Sequence, residues 1–555
     1  MLLSAARAEA PKETYEEAKK NFDEKILWEP LRTRADALNR LAATKDERAV
    51  EVLRRQYFKP HATWPIQEKY LNAGCLENFL AGRLGALDIN DWVEATGKFP
   101  DYWLEFNAYR VHAAQITGER LMPVARNKAG KALQRSAVVQ ALAIQGLAEA
   151  AVLIPELLDF RIQLYDSFEE DIMIAGCASA LAYLSDVFAK ERTDEIIVAA
   201  EAVINLLGDK RLNGKQRMLV VRHLAAFFKI DRSWMTPHPW LMLLHGQMAP
   251  DDREGNTSAR PTFMGVEIRG KRPVFVLDLS DSMMIPLSED EKNQIRKPVV
   301  TGDPKSKKKK DARKDPLDDL PWDKITNRFE AARECLKVCL KGLTKDMYFA
   351  VIKFGDKAEP MASTPRMQPV MPGTVEACIR ELDSIKPGAP NKDRKHGTLM
   401  GQTNLHAGVV RAFRIMETGL ITTEDEHINK ECFETGTDSI IVLTDGAPTR
   451  DDYWAMGPEI DVPAQPASTH TYKDPETGES KTSYTPEREA YKTRPSVLGP
   501  FTQLDPYYRR DLMRMNLFRR CDIACIGVGE ADAKWLNESA KIGHGRVRFI
   551  GAPKK

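Results

Sequence analysis

The spacing of apolar residues changes once along this chain, near residue 270, and that change limits what the chain can fold into. From about residue 15 to residue 228, apolar positions recur at helical spacing and glycine is rare. Beyond residue 270, β-rich apolar runs alternate with helical stretches, which is typical of a mostly parallel sheet with helices on both faces. The sequence therefore predicts a multidomain protein, with an all-α region followed by a doubly wound, Rossmann-like α/β domain.

The helical region contains segments that share a small-large apolar pattern, at 37–41, 75–79, 141–144, 180–183 and 223–226. Leu181 follows Leu142 by 39 residues, and Leu224 follows Leu181 by 43 residues. This period suits one helix pair per repeat, in which each pair buries its apolar face only against its neighbours. The stretch 136–185 resembles the HEAT family most, so we expect a HEAT-like helical solenoid over residues 14–232.

Four apolar runs of the second region are predicted to be buried strands, at 274–277, 348–352, 440–443 and 523–526. Helices are predicted at 328–343, 374–385, 405–416 and 531–541. Two inserts, at about 288–322 and 451–506, have compositions that resist forming a core, and we expect a protease to cut them first. The first insert contains the lysine run 305–310, which is predicted to be a solvated loop. The domain map is then a leader or disordered stub at 1–13, the helical domain at 14–232, a junction at 233–265 and the α/β domain at 266–555.

Composition limits the possible function classes. The 81 basic and 80 acidic side chains nearly cancel, which argues against a chain built overall to bind nucleic acid or a membrane surface. No apolar run is expected to reach the roughly 18 residues that a membrane helix needs. The eight cysteines show no dense short-range pattern, so we expect reduced core thiols rather than a disulfide framework or a zinc site.

The N-terminal sequence is compatible with two cellular compartments. Residues 6–8 read Ala-Arg-Ala, like the small-residue end of a secretory signal, but the apolar region that should precede them is missing. As written, the chain is expected to stay in the cytoplasm. If the true start lies further upstream, the same stub belongs to an exported protein, periplasmic or extracellular.

Oxygen-bearing side chains follow two of the predicted strands. The first strand ends in the run DLSDS, where alternation in an extended segment turns Asp278, Ser280 and Ser282 to the same side. Asp445 follows the third strand, and Thr403 lies just before a predicted helix. Open α/β sheets bind ligands at the carboxyl ends of their strands. Five such oxygens suit a hard cation, above all Mg²⁺ with its remaining positions filled by water.

These five residues match, in order and in strand context, the metal-ion-dependent adhesion site of von Willebrand factor A-like (vWA) domains. The run 271–283 resembles that family's first strand and metal loop, and 525–529 resembles its late strand and turn. The resemblance spans residues 266–550. Two features depart from the family pattern: Asp281 stands where glycine is frequent, and 125 residues separate the first aspartate from the threonine.

The resemblance implies a role for each site residue. Ser280, Ser282 and Thr403 would coordinate Mg²⁺, or Mn²⁺ or Ca²⁺ in its place. Asp278 and Asp445 would hold the cation through water. The neutral hydroxyls leave the cation electrophilic, so an acidic side chain of a partner would take the open position.

The sequence therefore predicts a non-enzymatic, metal-dependent adaptor. Its metal site binds an exposed Asp or Glu of a protein ligand, and its helical array offers a surface to a second protein partner. An aspartyl nucleophile like that of haloacid dehalogenases is disfavoured, because Ser280 occupies the place of the second aspartate that such enzymes need. Two alternatives stay open: RNA binding, because the domain order resembles the Ro ribonucleoprotein, and an accessory subunit of an ATPase assembly of the chelatase type.

Overall fold

A computed structural model of the protein has two parts, an α-helical region and an α/β domain with a mostly parallel mixed sheet, as the sequence predicts. The predicted repeat segment 75–79 and the lysine run 305–310 lie outside the described residues. The described residues are 13–26, 30–49, 52–53, 121–164, 166–230, 232–247, 261–296, 316–387, 401–457, 459–473, 480–497, 499–503 and 505–552.

The helical region is built from helices with clear start signals. Thr14 and Glu17 form a capping box at the helix Tyr15–Lys25, and Asn213 and Gln216 form another at the helix Gly214–Phe228. Lys229 ends the helix Gly214–Phe228 in the left-handed conformation, with φ 55°. The helices are α1 Tyr15–Lys25, α2 Leu31–Ala43, α3 Met122–Arg126, α4 Ala132–Ile144, α5 Ala148–Phe160, α6 Ser167–Tyr183, α7 Ser185–Lys190, α8 Asp194–Asn205, α9 Gly214–Phe228 and α10 Pro237–Leu244.

These helices stack in two layers around one apolar core. Helices α4, α6 and α9 pack side by side in the first layer, and α5, α8 and α10 form the second layer against them. The three predicted repeat segments at 141–144, 180–183 and 223–226 fall on α4, α6 and α9. The period of about 40 residues therefore corresponds to successive helices of one layer, which is the arrangement that a helix-pair repeat produces.

The close crossing of α4 and α6 requires a glycine at position 176, and this requirement can be tested. A Cβ built on Gly176 of α6 would lie 2.8 Å from Ser136 Cβ and 3.1 Å from Ser136 Cα of α4. Because the second atom is backbone, the helices must separate, and we expect Gly176→Ala to lower the free energy of unfolding by about 2–3 kcal/mol. Urea unfolding measures this change. The control is Gly214→Ala at the start of α9, where no atom lies within 4 Å, and equal effects of the two substitutions would refute the close crossing.

One stretch of this region has the length and composition of a membrane-spanning helix. Ser167–Lys190, which comprises α6 and α7, is the one candidate in the described part of the chain that is long and apolar enough to cross a membrane. However, 72% of its most apolar window is buried inside the fold, which is the property of a core helix.

The helical region extends past its predicted end at residue 232. Trp240 of α10 is fully buried, and its ring stacks on that of Phe228 at 5.8 Å between centroids. The two prolines at 237 and 239 favour a junction in the sequence, but Pro237 occupies the first position of α10, where proline is tolerated. Helix α10 therefore belongs to the helical stack.

The α/β domain is organised by a seven-stranded sheet of β3 Pro273–Asp278, β4 Tyr348–Phe354, β5 Ala358–Pro360, β6 Gln368–Pro369, β9 Ser439–Thr444, β16 Asp522–Val528 and β17 Val547–Ile550. The strands lie in the order β17-β16-β9-β3-β4-β5, and β6 pairs with β4. Strands β17, β16, β9, β3 and β4 are parallel to their neighbours, while β5 and β6 are antiparallel. Every residue of β3, β9 and β16 is buried, as a sheet covered on both faces requires.

Helices cover the two faces of this sheet, and the four predicted strands and four predicted helices all lie within two residues of their expected positions. The seven cysteines in the described ranges are buried free thiols, as predicted. The helices are α11 Glu289–Arg296, α12 Arg328–Gly342, α13 Pro372–Ser384, α14 Leu405–Arg414, α15 Lys430–Thr435, α16 Pro500–Gln503, α17 Asp505–Asn516 and α18 Ala533–Gly543. Short strand pairs are β1 Thr262–Phe263 with β2 Val266–Glu267, and β7 Ile415–Met416 with β8 Gly419–Leu420.

Both inserts contain regular secondary structure that their composition does not predict. Within 451–506 the chain forms an antiparallel two-stranded ribbon, to which its Thr and Tyr residues contribute strand propensity. In the first insert, α11 is followed, beyond the undescribed residues 297–315, by buried Trp322, whose Nε1 donates to Leu317 O at 2.8 Å. The ribbon pairs β10 Ala455–Met456 with β15 Ser496–Val497, β11 Ile460–Val462 with β14 Tyr491–Thr493, and β12 Ser468–Lys473 with β13 Ser480–Thr485.

The helical region packs against the amino-terminal edge of the sheet. Phe433 and Phe518, which precede β9 and β16, belong to the apolar core of the helical region. The Phe433 ring meets Phe168 of α6 edge to face at 4.9 Å. His223 of α9 meets His544, which precedes β17, at the same centroid distance of 4.9 Å. The carboxyl ends of the strands therefore face away from this interface.

Candidate metal site

The first site residue is fixed by the pairing of β3 with β9. Leu277 pairs with Leu443 in the parallel register, so the next residues, Asp278 and Thr444, lie side by side at the ends of their strands. Asp278 is fully buried, and its Oδ2 accepts a hydrogen bond from the Thr444 hydroxyl at 2.6 Å. Its Oδ1 accepts from the Ser280 backbone N–H at 2.8 Å. The carboxylate is thus held at the carboxyl edge of the sheet.

The loop after β3 brings the two serines together, but not as an extended strand. Ser280 is extended, with φ −64° and ψ 166°, and a 3-10 turn then begins at Asp281. Simple strand alternation through Ser282 is therefore the wrong reason for the convergence. The hydroxyls of Ser280 and Ser282 still lie 3.0 Å apart, and Ser282 donates to Asp445 Oδ1 at 2.6 Å. The turn links the loop of β3 to the residue that follows β9.

Thr403 reaches the same place from the loop before α14. A Cβ built on Gly446 would lie 3.7 Å from both Thr403 Oγ1 and Ser282 Oγ, so both hydroxyls approach one point. Thr403 N–H donates to the Thr449 hydroxyl at 2.9 Å, and Thr403 O accepts from Thr449 N–H at 3.0 Å. Asn404 caps α14 by accepting from Ala407 N–H at 3.0 Å. The structure therefore brings all five predicted site residues to one edge of the sheet.

The two carboxylates oppose each other electrostatically. Burial and the nearby charge of Asp445 raise the pKa of Asp278 to about 7, in spite of its bonds from Thr444 and Ser280. Burial also raises the pKa of Asp445, although Ser282 and Arg328 act in the opposite direction. Negative charge at this edge is therefore incompletely compensated within the protein, which is the condition that favours a bound cation.

One charged residue of the site was not anticipated from the sequence. Arg328, the first residue of α12, donates from Nη1 to Asp445 Oδ2 at 2.9 Å, and its side chain is only 9% exposed. The helix that it begins was predicted, but nothing local marks the side chain as part of the site. Thr444 is a second unpredicted contact, although it immediately precedes Asp445 in the same strand-end motif.

Asp281, which departs from the vWA pattern, lies against the loop that carries Thr403. Its side chain is exposed and packs over Gly401, where a built Cβ would lie 2.7 Å from Asp281 Cγ. The neighbouring Gln402 N–H donates to Asp356 Oδ1 at 2.8 Å, and Asn404 Nδ2 donates to Asp452 Oδ1 at 2.9 Å. Acidic side chains thus position the loop that carries Thr403.

The donor set fits a hard cation. It offers two carboxylates and three hydroxyls, and Mg²⁺ accepts a few such oxygens together with water. Among the described residues no group of three or more His, Cys, Asp or Glu side chains is placed to hold a metal. A cation at this edge would therefore depend on the hydroxyls of Ser280, Ser282 and Thr403 as much as on the carboxylates. No known family model matches the chain, and no curated protein matches it either.

Proposed function

We propose that this protein is a non-enzymatic adaptor whose α/β domain is vWA-like and binds an acidic partner through a divalent cation. The observation that carries the proposal is the gathering of five oxygen-bearing side chains at the carboxyl edge of the sheet: Asp278, Ser280, Ser282, Thr403 and Asp445. The cation would be Mg²⁺, or Mn²⁺ or Ca²⁺. It would supply a Lewis-acidic position for a carboxylate from outside the chain.

In this proposal the serines and Thr403 coordinate the cation, and the two aspartates hold it through water. Neutral hydroxyls remove little positive charge from a cation, so it keeps a strong attraction for an anionic ligand. Asp278 and Asp445 are buried, whereas Ser282 is partly exposed at the mouth of the site. This order of burial supports an approach by the partner from the side of Ser282.

The helical region is proposed as a HEAT-like second binding surface. Its two-layer stack supports this assignment, because stacked helix pairs create extended surfaces in repeat proteins. It packs against the amino-terminal edge of the sheet, and the proposed metal site lies at the carboxyl edge. Two partners would therefore bind at opposite edges without competing for the same surface.

A pull-down with and without chelator tests the proposal. With the intact chain immobilised in Mg²⁺, we expect specific partners to elute with chelator, and Thr403→Ala to retain at least tenfold less of them. The surface variant Lys492→Ala, on the ribbon strand β14, serves as a control and should retain them fully, because Lys492 is 68% exposed and is not one of the five proposed site residues. Replacing the acidic residues of a captured partner should release it. Capture that is equal in Mg²⁺ and chelator would contradict the proposed function.

A further inference from the structure

Arg328 is a buried cation built into the edge of the candidate metal site. Asn327 caps α12 by accepting from Glu330 N–H at 2.9 Å, which fixes the position of the first helical residue. Arg328 N–H donates to Ile285 O, in the loop after β3, at 3.2 Å. Its guanidinium lies against Gly529, where a built Cβ would be 2.8 Å from Arg328 Nε. The side chain is therefore held in place from the helix, the metal loop and the turn after β16.

The guanidinium bonds one oxygen of a carboxylate that belongs to the proposed metal site. Arg328 Nη1 bonds Asp445 Oδ2, while Ser282 bonds the other oxygen, Oδ1. Glu291 is the other acidic group near Arg328, but it lies 3.9 Å away and accepts from the Ser288 hydroxyl and N–H. The tighter pairing of Arg328 is thus with Asp445. A divalent cation added beside Asp445 meets a fixed positive charge close by.

Charge counting shows the consequence. Ionised Asp278 and Asp445 together carry two negative charges, which a divalent cation alone balances. Counting Asp278, Asp445 and Arg328 alone, the occupied site carries one excess positive charge, which lowers affinity for the cation and raises affinity for an anion. We propose that Arg328 makes the cation and an acidic ligand bind interdependently, so that the metal is held weakly until a carboxylate completes the site. This inference rests on the proposed function. It names Arg328 as the residue that makes the occupied site prefer an anionic ligand.

Mn²⁺ titration calorimetry on the full chain tests the role of Arg328. Arg328→Gln removes the charge but retains donors for Asp445, and we expect Mn²⁺ affinity to rise at least tenfold, equivalent to about 1.4 kcal/mol. Arg328→Lys keeps the charge and should stay within threefold of the unmodified protein. Arg333→Gln is the matched control on the same helix, because it removes an equal charge from a residue paired with Glu334. Its Mn²⁺ affinity should not change.

A second measurement needs no variant. Titration of the unmodified protein with Mn²⁺ in 100 mM acetate, against chloride at equal ionic strength, should show at least threefold tighter Mn²⁺ binding in acetate after correction for acetate–Mn²⁺ association. The gain should shrink in Arg328→Gln. If the unmodified protein binds Mn²⁺ but acetate and Arg328→Gln leave its affinity unchanged, the role of Arg328 is wrong while the metal site stands. If Mn²⁺ binds in neither medium nor in any variant, the proposed function fails and this inference fails with it.

Discussion

Replacing Asp278 with Asn should abolish the response to divalent cations and make the metal-free protein more stable. The carboxylate is fully buried, and burial and Asp445 raise its pKa to about 7, so its ionised form opposes folding at neutral pH. Asn keeps the size and an acceptor for the Ser280 N–H, and we expect a gain of roughly 1–3 kcal/mol without metal. The unmodified protein should instead gain about 1.4 kcal/mol when Mg²⁺ is tenfold above its Kd. Thermal unfolding in Mg²⁺ and in chelator measures both effects.

Other substitutions at the site separate the effect of the Asp278 charge from the effect of the hydrogen bonds that Asp278 accepts. Asp278→Ala should also lose the metal response, but without the gain in stability, because it leaves the Ser280 N–H and the Thr444 hydroxyl without their acceptor. Ser280→Ala and Thr403→Ala each remove one neutral donor and should weaken metal binding less than either substitution of Asp278. An Asp278→Asn protein that still melts higher in Mg²⁺ than in chelator would rule out this carboxylate as part of a cation site.

Replacing Arg514 with Leu should destabilise the α/β domain by about 3–5 kcal/mol, because it removes a buried positive charge that two buried carboxylates, Glu426 and Asp511, share. Arg514 and Glu426 are both fully buried, and Arg514 Nη2 donates to Glu426 Oε1 at 2.6 Å. Arg514 Nε also donates to Asp511 Oδ1 at 2.9 Å. Burial alone would raise the pKa of Asp511, but Arg514 and the bond from His406 bring it well below its usual range. Denaturant unfolding of the variant measures the loss.

Arg509 on the same helix is the control for this prediction. It is 50% exposed and lies 3.9 Å from Glu538, so Arg509→Leu should change the unfolding free energy by less than about 0.5 kcal/mol. Equal effects at the two positions would show that the buried pair contributes little. The ion pairs of Arg514 are linked to the candidate site through His406. His406 bonds Asp511 at 2.7 Å and lies in α14, the helix that follows Thr403.

The sequence predicts the parts of the candidate site that depend on strand ends. Asp278 and Asp445 each follow a continuous apolar run, and parallel strands bring such positions together at one edge. The ribbon at 451–506 is not predicted, because a composition that resists forming a core gives no strand signal, although strand pairing needs only alternation and cross-strand partners. The interface between the helical region and the sheet is missed because its residues, such as His223 and His544, are far apart in the sequence.

The charged residues behind and beside the site are not predictable from local patterns. Arg328 and Asp445 are 117 positions apart, and Arg514 and Glu426 are 88 positions apart. Neither pair carries a spacing signal, because an ion pair between separate elements depends on the tertiary arrangement alone. From the sequence alone, an arginine that begins a helix is expected to be a surface residue. Its burial becomes evident only when the position of the strand that carries its partner is known.

Titration calorimetry with Mg²⁺ and Mn²⁺ on the intact chain and on Asp278→Ala tests the central claim most directly. The intact protein is expected to bind one cation per chain at millimolar concentration or below, more tightly when a carboxylate ligand is present. Asp278→Ala is expected to bind neither ion, while the helical region keeps its far-ultraviolet circular dichroism. If the intact protein binds neither Mg²⁺ nor Mn²⁺ at millimolar concentration, even with a carboxylate ligand present, the gathered oxygens are not a cation site and the proposed function is wrong.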